Sequence, residues 1–172
     1  FNGNAVNETI DIFAVSERSF LQRDVASVKM DMNDVERIFF KAGAGTDTIH
    51  VRDLTGTDVR QVAIDLTATV AGGDRQVDTI SIDGTADDDV ITFTNVNGVI
   101  TVSGLGAEIQ LTSFDADDRL IIYGLGGDDI VDASGLGGIL LTIDGGDGDD
   151  ILIGGVGDDI LNGDAGNDVL IG

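Results

Sequence analysis

The sequence predicts an all-β protein, a right-handed parallel β-solenoid whose N-terminal coils are wider and less regular than the rest. Three observations support this. From Gly145 the chain reads GGDGDDILI, GGVGDDILN and GDAGNDVLI before Gly172, a period of nine residues. The composition holds 28 Asp but only 4 Glu, with 25 Gly and no Pro, and Asp favours turns where Glu favours helix. Upstream, short runs alternate aliphatic with polar residues between turn signals, the pattern of strands with one buried face.

In the three nonapeptides, positions one and four are Gly, position six is Asp (Asp150, Asp159, Asp168) and position eight is Leu (Leu152, Leu161, Leu170). Positions seven to nine are too short for an independent strand. They make sense stacked on copies of themselves with the Leu pointing inward, a regularity that a flexible acidic linker has no reason to keep. Two nonapeptides make one coil, so Asp150 is expected directly above Asp168. With a turn over residues 133–138, Asp129 joins the same column and Asp159 stands on the opposite edge. Gly at positions one and four permits φ > 0 and close approach of neighbouring turns. Backbone carbonyls can then converge with the position-six carboxylate. Such oxygen donors suit a hard cation, and Ca2+ takes about 6–8 of them at roughly 2.3–2.6 Å.

Strands are expected at Val28-Met30-Met32, Val62-Ile64-Leu66, Ile80-Ile82, Val99 to Val102, Ile109-Leu111 and Leu120-Ile122, with turns at Gly72-Gly73, Asn97-Gly98 and Ser103-Gly104. Degenerate copies of the nonapeptide lie at AGAGTDTIH (42–50), GTADDDVIT (84–92) and GLGGDDIVD (124–132). A shift of 81 lays GNAVNETI (3–10) on GTADDDVI (84–91), Val28 on Ile109 and Met30 on Leu111. One further residue lays Arg37 on Arg119 and Asp47 on Asp129. The expected organisation is therefore an irregular region over 1–123, with an internal duplication of about 81 residues, followed by a regular roll over 124–172. For 1–123 a separate sandwich-like fold is the alternative.

A formal charge of −23 with 42% apolar residues is unlike a disordered acidic chain. It calls for divalent counter-ions and disfavours nucleic acid and anionic membrane surfaces as partners. With no Cys, thiolate metal sites are excluded. No apolar run approaches a membrane span and no signal peptide opens the chain. A start at Phe1 and a stop inside a repeat suggest a processed piece of something longer.

The array resembles the RTX, or haemolysin-type, calcium-binding family. The match is specific over 124–172 and loose upstream, where DDRLIIYGLGGDDIVDASG and DLTGTDV look like repeat regions of large secreted bacterial calcium-binding proteins. The resemblance implies a β-roll with Ca2+ held between stacked turns. One site would use Gly145, Asp147 and Asp150 with Asp164, Gly166 and Asp168. A second would pair Gly124, Gly126 and Asp129 with Gly146, Gly148 and Asp150, while Asp159 would serve the other edge. The chain departs from the pattern at Asp87, Leu125 and Asp164. The resemblance also implies type I export from a Gram-negative bacterium, folding on extracellular calcium, and a structural role as stalk, surface-layer, adhesin or fibre-forming element. An open terminal coil would allow head-to-tail or lateral self-association.

The remaining candidates read as structural. His50 is a strand surface residue, and Asp87-Asp88-Asp89 and Asp117-Asp118 are turn acids or calcium ligands. Phe39, Phe40, Phe93 and Phe114 belong to the core or to coil stacking, and Arg37 and Arg119 pair with neighbouring acids. The alternative function is a β-helical polysaccharide-acting enzyme or its accessory calcium module. One Tyr and no Trp leave no aromatic sugar platform for it, and no nucleophile elbow frames a Ser. No catalytic residue is therefore assigned.

Overall fold

A computed structural model describes residues 1–3, 5–67 and 75–172, so the turn expected at Gly72-Gly73 lies outside the described residues. Alternation builds the strands, which form two eight-stranded sheets. In chain order they are β1 (Thr9–Val15), β2 (Arg18–Arg23), β3 (Val28–Met32), β4 (Arg37–Lys41), β5 (Thr48–Val51), β6 (Gln61–Asp65), β7 (Thr79–Asp83) and β8 (Val90–Val96). They continue with β9 (Val99–Ser103), β10 (Glu108–Thr112), β11 (Arg119–Tyr123), β12 (Ile130–Asp132), β13 (Leu140–Asp147), β14 (Ile151–Ile153), β15 (Ile160–Ala165) and β16 (Val169–Ile171). The only helical element among the described residues is a short 3-10 turn, Val25–Ser27.

The first sheet has the order β15-β13-β11-β7-β5-β1-β2-β3 and the second β16-β14-β12-β8-β9-β10-β6-β4. From β11 onward the chain passes to the other sheet at each strand, and each strand pairs in parallel with its counterpart one coil away. Both sheets run through residue 123 into the repeats without a break. The expected strands are all present.

Two features depart from a wholly parallel, closed solenoid. Each sheet is mixed, because β1-β2-β3 and β8-β9-β10 are antiparallel meanders. Each sheet is also open, with β3, β4, β15 and β16 outermost. The second meander has a clear local cause. Asn97 and Gly98 take φ of 54° and 78°, the geometry of a type I′ hairpin turn, and the chain folds straight back before it can cross to the other sheet.

Between the sheets lies one continuous hydrophobic core from Ile10 to Leu152. Its inward columns follow the strand register, as in Ile10-Ile49-Ile80-Leu120-Leu141, all at most 2% exposed. Each such side chain contributes about 1.5–3 kcal/mol relative to exposure. The position-eight residues Val131 and Leu152 are fully buried, whereas Leu170, on outermost β16, is 47% exposed. Phe40 and Phe93 are buried, and Phe114 packs on the core. Phe39 corrects the expectation: it sits between buried Ile38 and Phe40 on β4, so the pleat turns it outward and leaves it half exposed.

Candidate metal centre

The acidic residue just before a strand is the building unit of both edges. Asp89, Asp129, Asp150 and Asp168 immediately precede β8, β12, β14 and β16. The Asp89 amide donates to Asp129 Oδ1 at 2.8 Å, the Asp129 amide to Asp150 Oδ1 at 2.8 Å, and the Asp150 amide to Asp168 Oδ1 at 3.0 Å. The column expected for Asp129, Asp150 and Asp168 is thus a ladder in which each carboxylate ties its own coil to the one before. The register agrees: Gly126 bridges Asp147, and Gly146 and Asp147 pair with Asp164 and Ala165.

A second ladder on the opposite edge was not foreseen. Glu8, Asp47, Asp78 and Asp118 precede β1, β5, β7 and β11, and the Glu8, Asp47 and Asp78 amides each donate at 2.8 Å to the next carboxylate. The available signal was an acid directly ahead of an aliphatic alternation, as in Asp78-Thr79-Ile80. Arg23 caps this ladder by pairing with buried Glu8.

The second oxygen of each carboxylate separates the sites. Asp89 Oδ2 accepts the Thr85 amide at 2.7 Å, and Asp159 Oδ2 accepts the Gly155 amide at 2.9 Å. Asp129 and Asp150 are at most 1% exposed, and among the described residues their Oδ2 atoms have no hydrogen-bond partner. A buried charged oxygen without a partner is costly and asks for a cation or a proton. Burial pushes the Asp129 carboxyl up to about 6, opposed by the Asp89 amide and reinforced by the charges of Asp150, Asp89 and Asp88. Asp150 is raised for the same first reason, with Asp168, Asp128 and Asp149 adding repulsion.

Both orphan oxygens lie against a position-one glycine. A Cβ on Gly124 would sit 2.3 Å from Asp129 Oδ2 and 2.2 Å from the Gly145 carbonyl oxygen. One on Gly145 would sit 2.1 Å from Asp150 Oδ2 and 3.1 Å from the Gly163 carbonyl oxygen. The glycine roles expected from sequence need correcting here. Position-one Gly is required by this close approach, while positive φ falls at position four (Gly148, 139°) and position two (Gly146, 104°). Leu125 and Asp164 adopt φ of 77° and 61° at position two, so these departures from Gly keep the turn at some strain.

The cradle therefore combines a carboxylate oxygen with backbone carbonyls, a donor set that fits Ca2+. The structure places Gly145 against Asp150, whose amide bonds Asp168, and Gly124 against Asp129, whose amide bonds Asp150. Gly163, absent from the expected ligands, contributes the facing carbonyl. The Asp147 carbonyl accepts the Gly127 amide and the Leu125 carbonyl accepts the Asp147 amide, so part of this backbone is committed to stacking. Gly126, Gly146, Gly148, Asp164 and Gly166 lie in the same stacked turns, and Asp159 stands apart on the other edge. Among the described residues no three acidic or His side chains converge on one point; the clustering is of carbonyls around single carboxylates.

The other residues set aside as structural are mostly so. His50 Nε2 lies 2.7 Å from Asp83 Oδ1 on a strand surface. Asp118 accepts the Asp78 and Asp115 amides. Arg37 and Arg119 are exposed at the first residue of β4 and β11, and among the described residues neither forms the expected ion pair. At that pleat position their side chains leave the sheet toward solvent.

Residues 142–172 match the family model described as RTX calcium-binding nonapeptide repeat (4 copies). No curated protein and no solved structure matches the chain. The match covers the cradle of Gly145, Asp150 and Gly163 and stops short of Gly124 and Asp129. Residues 142–172 are thus similar to RTX calcium-binding nonapeptide repeats, and the ion such repeats bind is Ca2+.

Proposed function

We propose that this chain is a non-enzymatic, calcium-stabilised structural module of a secreted bacterial protein, ordered on meeting extracellular Ca2+. The observation that carries the reading is the pair of buried, partnerless oxygens, Asp129 Oδ2 and Asp150 Oδ2, each beside a position-one glycine and the next coil's carbonyl. Calcium supplies positive charge that offsets the repulsion of stacked carboxylates. The chain's part is to hold those carboxylates at the strand entrances, aim the Gly145 and Gly163 carbonyls at them, and exclude water with the core beneath. The ligand set is that expected from sequence, Gly124, Gly126 and Asp129 with Gly146, Gly148 and Asp150, then Gly145, Asp147 and Asp150 with Asp164, Gly166 and Asp168, extended by Gly163. Asp159 is the weakest member, since its Oδ2 already has an amide.

Folding is then linked to metal. For extracellular-type affinities of about 10⁻⁴–10⁻³ M, millimolar calcium adds roughly 0.4–1.4 kcal/mol per site, so several coupled sites are needed to order the array. The proposal includes right-handed winding, an irregular region over 1–123 that is an internal duplication, and a regular roll over 124–172. The two antiparallel meanders, β1-β2-β3 and β8-β9-β10, support the duplication, although they lie in opposite sheets. Export by a type I route and service as a stalk, surface-layer, adhesin or fibre element belong to the same reading. No helix is long and apolar enough to cross a membrane among the described residues.

A far-UV circular dichroism titration with Ca2+, run beside Mg2+ and repeated on Asp150→Ala, tests this. The expected result is a cooperative gain of β structure with Ca2+ alone, shifted to higher calcium in the variant. A spectrum already fully β in EDTA and indifferent to calcium would overturn the reading.

A further inference from the structure

The residue before each inner carboxylate forms a ladder of its own, and that ladder runs the other way. Asp88 Oδ1 accepts the Asp128 amide at 2.9 Å, and Asp128 Oδ1 accepts the Asp149 amide at 2.9 Å. Asp149 Oδ1 in turn accepts the Asn167 amide at 2.8 Å and the Asn167 side-chain amide at 3.1 Å. Here the earlier coil supplies the acceptor and the later coil the N–H. At position six the later coil supplies the acceptor and the earlier coil the N–H. Adjacent turns are therefore clasped reciprocally by two neighbouring residues. The same clasp occurs outside the nonapeptides, where the Thr46 amide donates to Asn7 Oδ1 at 3.0 Å beside the Glu8–Asp47 bond.

We propose that the position-five acids Asp128 and Asp149 are positioning residues for the calcium cradles, acting through the backbone of the next coil. The inference rests on the calcium reading above. Backbone bonds already stack the first half of each turn, as in Gly127 N–H on the Asp147 carbonyl and Gly148 N–H on the Ala165 carbonyl, but at the acidic end the position-six ladder alone is a single row of side-chain bonds of one polarity. A second row of opposite polarity, one residue away, fixes both the separation and the tilt of the turns. That orientation decides whether the Gly145 and Gly163 carbonyls face the orphan oxygens of Asp129 and Asp150. Ordering one turn also presents Oδ1 and N–H to its neighbour, so the clasp transmits order from one calcium site to the next. Position five needs an acceptor rather than a charge. Asn7 does this work upstream without a charge, its Oδ1 accepting the Thr46 amide.

The test is a calcium titration of the 172-residue chain by circular dichroism, with Ca2+ uptake followed by calorimetry. It compares Asp149→Ala, which removes the acceptor, with Asp149→Asn, which keeps it and removes the charge. Asp158→Ala is the control, an exposed position-five acid at the other edge with no such bond among the described residues. Loss of a charged acceptor predicts a midpoint raised about tenfold and a shallower transition for Asp149→Ala. Asp149→Asn should stay within about twofold of the parent with its steepness retained, and Asp158→Ala should match the parent. The proposal is overturned if Asp149→Ala titrates like the parent, or if Asp149→Asn is as impaired as Asp149→Ala. Should Asp149→Ala not fold at any calcium level, Asp128→Asn against Asp128→Ala makes the same comparison one coil inward. A parent chain with no calcium transition sinks the calcium reading itself, whereas an intact parent response with an unaltered Asp149→Ala sinks only the clasp.

Discussion

Replacing Asp129 by Asn should change the sign of its effect with calcium. The side chain is fully buried, and its carboxyl is pushed from the ordinary 3.8 to about 6. Ionising it inside the calcium-free fold therefore costs about 3 kcal/mol, an upper figure because neighbouring turns can relax. Asn keeps Oδ1 as acceptor for the Asp89 amide and turns a donor toward the nearby Gly145 carbonyl, so the orphan oxygen disappears. In EDTA at pH 7.5 the variant should be more stable than the parent by about 1–3 kcal/mol, or more β-rich if the parent is unfolded there. At pH 4 the two should coincide, since the parent carboxyl is then protonated. With millimolar Ca2+ the order should reverse, because the variant has lost an anionic ligand. Urea titrations followed by circular dichroism in the three conditions decide it. A variant weaker than the parent in EDTA at pH 7.5 would refute the argument, for Asp129 would then be stabilising without metal.

The same displacement sets a pH dependence. Because Asp129 titrates higher in the fold than in the unfolded chain, its contribution to the calcium-free fold is complete below about 3.8 and lost as pH rises through about 6. Calcium competes with that proton, so the calcium midpoint should fall between pH 5 and pH 7; a midpoint flat across that window contradicts the burial of Asp129. Gly145→Ala would drive a Cβ to 2.1 Å from Asp150 Oδ2, whereas Gly56→Ala meets nothing within 4 Å and carries only the strain of φ +84°. Calorimetry should find the Asp150 cradle lost in the first and intact in the second, which should show only about 1 kcal/mol of destabilisation; a parent-like midpoint for Gly145→Ala excludes the cradle. Arg23→Met would leave buried Glu8 without its guanidinium and should cost about 3–5 kcal/mol in urea unfolding at saturating calcium. The added change Glu8→Gln should recover much of that loss, and no recovery would mean that Arg23 stabilises by packing alone.

Several levels of this protein are present in the chain itself. Period-nine Gly, Asp and Leu imply stacked short strands, because nothing but stacking buries Leu152 and sets the Asp of alternate repeats on one edge. An 18-residue coil places Asp150 on Asp168 by arithmetic, and the Asp-rich, Pro-free composition implies turns and oxygen ligands. Periodicity is local information, so it survives without coordinates.

Long-range pairing was not legible in the same way. Both meanders, β1-β2-β3 and β8-β9-β10, alternate like any other strands, and only tight turns such as Asn97-Gly98 make them fold back within a sheet and so leave the sheets mixed. The pleat alone decides that Phe40 enters the core and Phe39 does not. The sequence also shows six acids, Asp88, Asp89, Asp128, Asp129, Asp149 and Asp150, as three equivalent pairs. Tertiary structure separates them: Asp89 Oδ2 finds the Thr85 amide, Asp129 Oδ2 and Asp150 Oδ2 find none among the described residues, and the acids before them turn outward to hold the next coil. Residue type determines that these turns are rich in oxygen, whereas which oxygens are left for a metal depends on the amides that stacking brings within reach.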